Sequence, residues 1–450
     1  LGLRCDERKR RCGQNNMTGH RPIISKISEA LSDTMNNGMF NKSRVVVTGS
    51  GLITPLGHNV ADTWAAILAG QSGIGPFKQI DNGSHTAAVL CEVKDFVPED
   101  YLDRRTARRQ DRYQQFATIA ATEAMQQAGL SVTENNHERV GVYIGTGVGG
   151  IQTLVEQEHV FNDRGLRRIS PFAITMIMPN GAAGMLAIEY GIHGPSTTIS
   201  TACASSNDAI GHAFRAIQYG QLDAALVGGT ETIITHVAVG GFERAGATSK
   251  KSSQTPQPFD KNRDGLVVGE GAGMLVLESL EHAQARNATI IAELAGYGQT
   301  TDAYHITAPA EGGLGAARAI RMALADAGLT AEDVDYISAH GTATQLNDPS
   351  ETSAIKEALG DHAYEIGVSS TKSMTGHIMG ATGAIETVFC TLAIRDQIMP
   401  PTINYETPDP ECDLDCVPNE SREARVRVCL NNAFGFGGHN AVLVLKEFEL

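Results

Sequence analysis

From Arg44 onward the chain repeats one theme, a short apolar, β-branched run that stops at a turn of glycine, serine, threonine or histidine. RVVVTGSGLITPLG, VGVYIGTGVGG, STTISTACASS and DAALVGGTET carry it in the first half. DVDYISAHGTATQLND, IGVSSTKSMTGHIMGATGAIETVFCTLAI and RVCLNNAFGFGGHNAVLVLKEF carry it in the second. Runs as apolar as these predict strands buried on both faces. Helical stretches lie between them, such as QQFATIAATEAMQQAGL, with a glycine at its C-terminal stop. Strand and helix in alternation predict an α/β fold of parallel βαβ units, with helices covering both sheet faces. Sites in such folds gather at the carboxyl ends of strands, where these polar turns lie. The theme runs through two similar halves, 44–290 and 291–450, as an internal duplication would produce.

Composition narrows the function classes. No apolar run reaches the ~18–20 residues that cross a bilayer, so the chain reads as soluble and not membrane-inserted. A formal net charge of −15 argues against nucleic acid as the partner. The 8 cysteines show no paired CxxC sets, so no metal site is expected, and without a secretory signal they read as reduced thiols of a cytoplasm. Residues 1–43 differ from the rest: LGLRCDERKRRCGQ is basic and polar, and Met17, Met35 and Met39 are candidate starts. This segment is expected to be a flexible leader. Read instead as a transit peptide it would place the protein in an organelle matrix, a reading that Asp6, Glu7, Glu29 and Asp33 weaken.

Cys203 is the candidate nucleophile. The residues before it read as a strand, and those after it as a helix with Ala209, Ile210, Ala213, Phe214 and Ile217 on one apolar face and a stop at Gly220. A cysteine at a strand-to-helix elbow meets a helix N-terminus, which favours the thiolate and predicts a lowered pKa. Small neighbours, Ala202, Ala204 and Ser205, leave room for a substrate. Taken alone, Cys203 reads as readily as a small buried residue.

Two histidines change that balance. His340 follows the strand DVDYIS, and His377 stands five residues after Lys372 in SSTKSMTGH. Imidazole N–H donors aimed at a thioester oxygen would stabilise an enolate formed by decarboxylation. Lys372 would organise the site, with Glu351 as its candidate partner. In NNAFGFGGHN, glycines around Phe434 and Phe436 permit a sharp turn whose N–H groups can form an oxyanion hole.

TACASS, AHGTAT, SSTKSMTGH and NAFGFGGHN together resemble the signature segments of β-ketoacyl-[acyl-carrier-protein] synthases, most closely the elongating type II enzymes of fatty-acid synthesis. The resemblance covers about residues 44–448. It implies a thiolase-like fold, with two duplicated halves in a five-layered α/β/α/β/α arrangement, and a homodimer. It implies that Cys203 takes an acyl chain from acyl carrier protein as a thioester, and that malonyl carrier protein then decarboxylates and condenses with it. His340 and His377 would act jointly, Lys372 would organise them near Glu351, and the N–H groups of Cys203 and Phe436 would form the oxyanion hole. Phe436 would also gate the cysteine.

Further roles come with the resemblance. Thr307, Thr342 and Thr344 would contact the phosphopantetheine arm, and Val148 would line the acyl pocket. Arg105, Arg108, Arg109, Arg167 and Arg168 would dock the carrier protein, a use that suits an acidic partner despite the chain's own negative charge. No cofactor is implied beyond the phosphopantetheine that carries the substrates. His439 departs from the family pattern, which commonly has threonine there.

Two alternatives stay open. A type II polyketide ketosynthase uses the same chemistry on another carrier protein. A non-catalytic chain-length partner subunit characteristically lacks the nucleophile, so Cys203 with both histidines argues against it. A thiolase would want a second cysteine near Phe434 and Phe436, and an initiating synthase a Cys-His-Asn set.

Overall fold

The computed structural model describes residues 42–449, so the leader expected over 1–43, with Cys5, Cys12 and the candidate start methionines, lies outside the described residues except for its last two. The first half supplies β1 (Val45–Ile53), β2 (Val140–Gly145), β3 (Ser196–Ile199), β4 (Ala224–Glu231) and β5 (Gly271–Ser279). The second supplies β6 (Ala292–Thr301), β7 (Tyr336–Ser338), β8 (Gly367–Ser369), a small ribbon of β9 (Ile398–Met399) with β10 (Arg422–Glu423), then β11 (Val428–Gly435) and β12 (His439–Lys446). Ten of these strands form one sheet in the order β3-β2-β4-β5-β1-β6-β12-β11-β7-β8.

That order is one pattern written twice. Numbered first to fifth within each half and ribbon aside, the strands run 3-2-4-5-1 in both. In each half the second strand is parallel to the third and fourth, while the fifth runs antiparallel to the fourth and the first. The halves meet edge to edge where β1 pairs antiparallel with β6. The parallel units expected from the sequence are β2 with β3 and β4, and β7 with β8 and β11, while every pairing of β5, of β12 and of β1 with β6 is antiparallel. A turn as tight as 436–438 can join β11 to β12 only antiparallel.

Side-chain alternation builds the layers. On β4, β5 and β12, one set of residues (Val227, Leu275, Leu277, Leu443, Leu445) faces an inner core shared by both halves. That core is filled by the helices Ser205–Gln218 and Thr382–Asp396, which pack against each other. The alternate set of the first half (Leu226, Met274, Val276) faces an outer layer with the helices Arg112–Ala128 and Gly181–Tyr190. In the second half Val442 and Val444 face the helices Leu314–Ala327 and Asn347–Leu359. A period of two thus accounts for strands apolar on both faces and for the five layers. The helix after Cys203 buries the expected face, Ala209, Ile210, Ala213, Phe214 and Ile217. Arg112–Ala128 ends on Gly129 in the left-handed region, at φ 58°. No helix among the described residues is long and apolar enough to cross a membrane.

Close approach of helix to sheet has a cost that can be measured. A Cβ at Gly145, where β2 ends, would stand 2.4 Å from the backbone of Ser206 in the helix Ser205–Gln218. Gly145→Ala is expected to destabilise by about 1–3 kcal/mol through overpacking, read as a lowered urea midpoint at unchanged m-value.

Candidate active site

The elbow that carries Cys203 is built from strained and polar backbone. Cys203 lies between β3 and the helix Ser205–Gln218, after Ala202 at φ 52°. Ser205 Oγ holds the turn, donating to Ala202 O at 2.6 Å and accepting from Thr201 N at 2.9 Å. Thr201 Oγ1 also donates to buried Asp208 at 2.5 Å, and Tyr297 OH reaches the same carboxylate at 2.6 Å. An apolar cluster including Ile233, Val239, Leu266 and Met379 packs around the cysteine.

The second half delivers both histidines to the sulfur. His377 Nε2 lies 3.1 Å from Cys203 Sγ. The rings of His340 and His377 meet edge to face, 5.4 Å between centroids and 82° between planes. Cys203 Sγ and one nitrogen of each histidine all lie within 4.8 Å of one another, a donor set that a thiophilic divalent cation would also fit. The glycine loop closes over them. A Cβ at Gly435 would stand 3.0 Å from Cys203 N, so that position accepts little besides glycine. The backbone N–H groups of Phe436 and of Cys203 itself both point at Sγ.

Burial governs the protonation states. It pushes the Cys203 thiol up to about 12, against the pull of Lys372 and of those two N–H groups. This reverses the lowered pKa expected at a helix N-terminus, because the sulfur is taken out of water as well as placed at the helix end. Burial likewise holds both imidazoles well below the ordinary histidine value. The charge of Lys372 adds to this at each, and His377 adds to it at His340.

Lys372 is buried but does not pair with Glu351. Its Nζ lies 2.7 Å from Glu386 Oε1. Glu351 is buried too, not a surface charge, and its two oxygens accept the backbone N–H groups of His340 and Gly341, each at 2.7 Å. It thus clamps the His340 turn, and Asn432 Nδ2 donates to it at 3.2 Å. Burial pushes Glu386 up to about 7 although Lys372 pulls the other way.

A cavity of about 210 Å³ leads to the cysteine, lined among others by His340, His377, Thr307, Thr342, Thr344 and Phe436. The hydroxyls of Thr342 and Thr344 lie 3.0 Å apart. The Thr307 loop and the glycine loop are tied together by Gly437 N donating to Ile306 O at 2.7 Å and Asp302 N to Gly438 O at 2.9 Å. Phe436 is 37% exposed, with its ring 6.3 Å from that of Phe242. His439 opens β12 opposite Gly435, outside the cavity lining.

Val148 does not line this cavity and is 45% exposed. Glu231 accepts the N–H groups of Gly147 at 2.5 Å and Val148 at 3.2 Å, drawing the backbone inward and leaving the side chain outside. The basic residues are exposed as expected. Arg105, Arg108 and Arg109 border one shallow surface with Phe172, over whose ring the Arg109 guanidinium sits at 4.6 Å. Arg167 and Arg168 lie in the turn Leu166–Arg168, five and four residues before Phe172, and are exposed.

Sequence reasoning missed Glu386 and Glu231. Each carried a signal, a lone acid inside an apolar or small-residue run, in TGAIETVFC and LVGGTETII. A carboxylate there must find a buried partner.

The family models for the β-ketoacyl synthase N-terminal domain and C-terminal domain match residues 42–283 and 291–406. A 3-oxoacyl-[acyl-carrier-protein] synthase 2 of Staphylococcus aureus (strain COL) is 48% identical over 413 residues, covering 91% of this chain and 100% of the relative. The protein of that name from Synechocystis sp. is 50% identical over 411 residues, covering 91% and 99%. Among solved structures, a type II polyketide ketosynthase in complex with its acyl-carrier protein has a TM-score of 0.84 at 37% identity, covering 91% of this chain and 100% of the other. A β-ketoacyl synthase from Burkholderia phymatum has a TM-score of 0.83 at 33% identity, covering 90% and 100%.

The buried neutral histidines make stability depend on pH. Above about 6.5 neither histidine binds a proton, folded or unfolded, so their contribution is constant. As pH falls below 6.5 the unfolded chain takes up protons that the folded site refuses, and stability drops by up to about 1.4 kcal/mol per pH unit per histidine. Glu386, raised to about 7, works in the opposite sense over the same window. The loss is therefore read as the difference between the parent and His340→Asn/His377→Asn in denaturant titrations at pH 7.5 and 5.5, the parent being expected to fall by more.

Proposed function

The chain belongs to the β-ketoacyl synthase family, and from that premise we propose that Cys203 is the nucleophile of a 3-oxoacyl-[acyl-carrier-protein] synthase 2-type enzyme of fatty-acid elongation. The enzyme is an acyltransferase that condenses an acyl chain with a malonyl unit. The observation that carries the residue assignment is the convergence of Cys203 Sγ, both histidines and the Phe436 N–H at the end of one cavity.

The geometry supports a two-stage reaction. Cys203 Sγ attacks the carbonyl of an acyl thioester held on the carrier protein's phosphopantetheine, while the N–H groups of Cys203 and Phe436 receive the developing oxyanion. The C–S bond to the arm breaks, the departing sulfur takes the thiol proton, and the chain stays on Cys203. A malonyl thioester then enters past Thr307, Thr342 and Thr344. It loses carbon dioxide, and the electron pair of the broken C–C bond becomes an enolate whose oxygen faces N–H donors of His340 and His377. The enolate carbon attacks the acyl-enzyme, Cys203 leaves, and a 3-oxoacyl thioester two carbons longer remains on the arm. Lys372, buried against Glu386, acts behind the histidines. Glu351 fixes the His340 turn. No cofactor enters these steps.

The partner surface follows from the same reading. Arg105, Arg108, Arg109, Arg167 and Arg168 give an acidic carrier protein a basic face. A homodimer is favoured by β3, which among the described residues is an edge strand paired only with β2, and by exposed apolar residues in the segment before it, including Phe161, Ile174 and Ile188. Val148 is exposed in the same stretch, where a second copy would cover it. The two halves, 44–290 and 291–450, would each contribute one side of the site. A cytoplasmic location accords with bacterial relatives.

Intact-protein mass spectrometry after mixing with acyl carrier proteins of several chain lengths tests the assignment. Cys203 is expected to gain the acyl mass and Cys203→Ala none, whereas acylation elsewhere would refute it. Labelling by polyketide starters alone would move the enzyme to the polyketide class. Cys203→Gln is expected to keep malonyl decarboxylation, which needs the histidines but not the thiol. Arg167→Glu/Arg168→Glu is expected to weaken carrier-protein binding about tenfold, ~1.4 kcal/mol, with a smaller salt dependence.

A further inference from the structure

We propose that Thr382 is a positioning residue that fixes the tautomer of His377, holding the ring proton on Nε2, the nitrogen that faces Cys203. The inference rests on the family reading for the chemistry but on a separate hydroxyl for its substance. Thr382 opens the helix Thr382–Asp396 and is 3% exposed. Its Oγ1 has two partners: it accepts the Ile378 N–H at 2.9 Å and lies 3.1 Å from His377 Nδ1.

A hydroxyl has one proton to give and two lone pairs to receive. One lone pair is already taken by the Ile378 amide. If Nδ1–H also donated to Thr382, the hydroxyl proton would be left buried with no acceptor, which is unfavourable. If the hydroxyl donates to Nδ1 instead, every group is satisfied. The imidazole, which burial keeps neutral, then carries its proton on Nε2, 3.1 Å from Cys203 Sγ. Neighbouring threonines behave differently: Thr387 and Thr391 in the same helix donate to the carbonyls of Gly383 and Val388. Thr382 makes no such bond to its own helix, so its proton is free for the ring.

The consequence lies in both half-reactions. An Nε2–H aimed at the sulfur stabilises the thiolate while the acyl chain is transferred. The same proton, in the same direction, serves the enolate oxygen once the sulfur is acylated. A ring flipped to the other tautomer would present a lone pair to an anion and oppose both steps.

The experiment compares Thr382→Val, which keeps the shape and loses the hydroxyl, with Thr382→Ser, which restores it. Nitrogen-15 spectra of imidazole-labelled protein should show His377 as a single Nε2–H tautomer in the parent and Thr382→Ser, and as a mixture in Thr382→Val. Malonyl decarboxylation in a Cys203→Gln background should fall roughly tenfold in kcat with Thr382→Val, at unchanged KM. The pH profile of Cys203 alkylation by iodoacetamide should move up by about half a unit or more. A folded Thr382→Val protein with the parent's tautomer, decarboxylation rate and alkylation profile would overturn the proposal. Should Thr382→Val fail to fold, a mixed tautomer in the parent enzyme, or a Thr382→Ser variant that loses the tautomer, overturns it as well. Failure of Cys203 acylation in the parent would instead strike the proposed function.

Discussion

Everything at the site hangs on how closely the helix Ser205–Gln218 and the helix Thr382–Asp396 approach each other between the two halves of the sheet. A Cβ at Gly383 would fall 2.3 Å from Asn207 Oδ1, so the second helix can lie where it does only with glycine there. The polar contacts at this crossing fix register as well as distance. Asn207 Nδ2 donates to Asn431 O and Ala441 O, Asn431 Nδ2 donates to Gly383 O and Thr387 Oγ1, and Ala384 N donates to Ser206 Oγ. Apolar packing alone would let two such helices slide. Buried amides with specific partners do not, since each slip strands a donor in a dry interior.

That register sets the electrostatics. The site contains a buried ion pair, Lys372 with Glu386, and around it groups held neutral by burial, namely the thiol and both imidazoles. A neutral site is a poor place for a resting anion and a good one for a transient anion met by fixed donors. Water would solvate a thiolate and the enolate alike; preoriented N–H groups favour the species formed in the reaction. Lys372 lowers the thiol's pKa and the imidazoles' together, so one cation favours a thiolate and keeps the histidines from competing for its proton.

Much of this was legible in the residues. Turns of small residues after apolar runs marked the strand ends, and Cys203, His340 and His377 all lie at them. Orientation within the sheet was not legible, because a strand buried on both faces looks the same whether its neighbours run parallel or antiparallel. Nor was the partner of Lys372. Glu351 and Glu386 are both acids on helices of the second half, and sequence carries no measure of which helix face meets the lysine. Packing decided it: Glu351 turned toward the backbone of its own preceding turn, and Glu386 faced the inner layer. The thiol's pKa was misjudged for a related reason. A helix N-terminus can be read from sequence, whereas desolvation depends on Met379, Val239 and Leu266, which arrive from distant segments.

The repeated 3-2-4-5-1 order explains why the site straddles the halves. Cys203 follows the third strand of the first half and leads into the helix Ser205–Gln218. His377 follows the third strand of the second half and precedes the helix Thr382–Asp396. The two groups thus occupy the same topological station, the loop that enters the inner helix of each half. When those helices pack against each other, their preceding loops are brought together, and so are two helix N-termini with their partial positive charge. His340 follows the second strand of its half, as the GTGVGG turn does in the other. In the first half that station is the turn whose Gly147 and Val148 N–H groups bind Glu231, and Glu231 in turn accepts Gly380 N, three residues past His377. One half's turn therefore braces the loop that carries the other's His377. Neither half holds all three groups, since Cys203 comes from the first and His340 and His377 from the second.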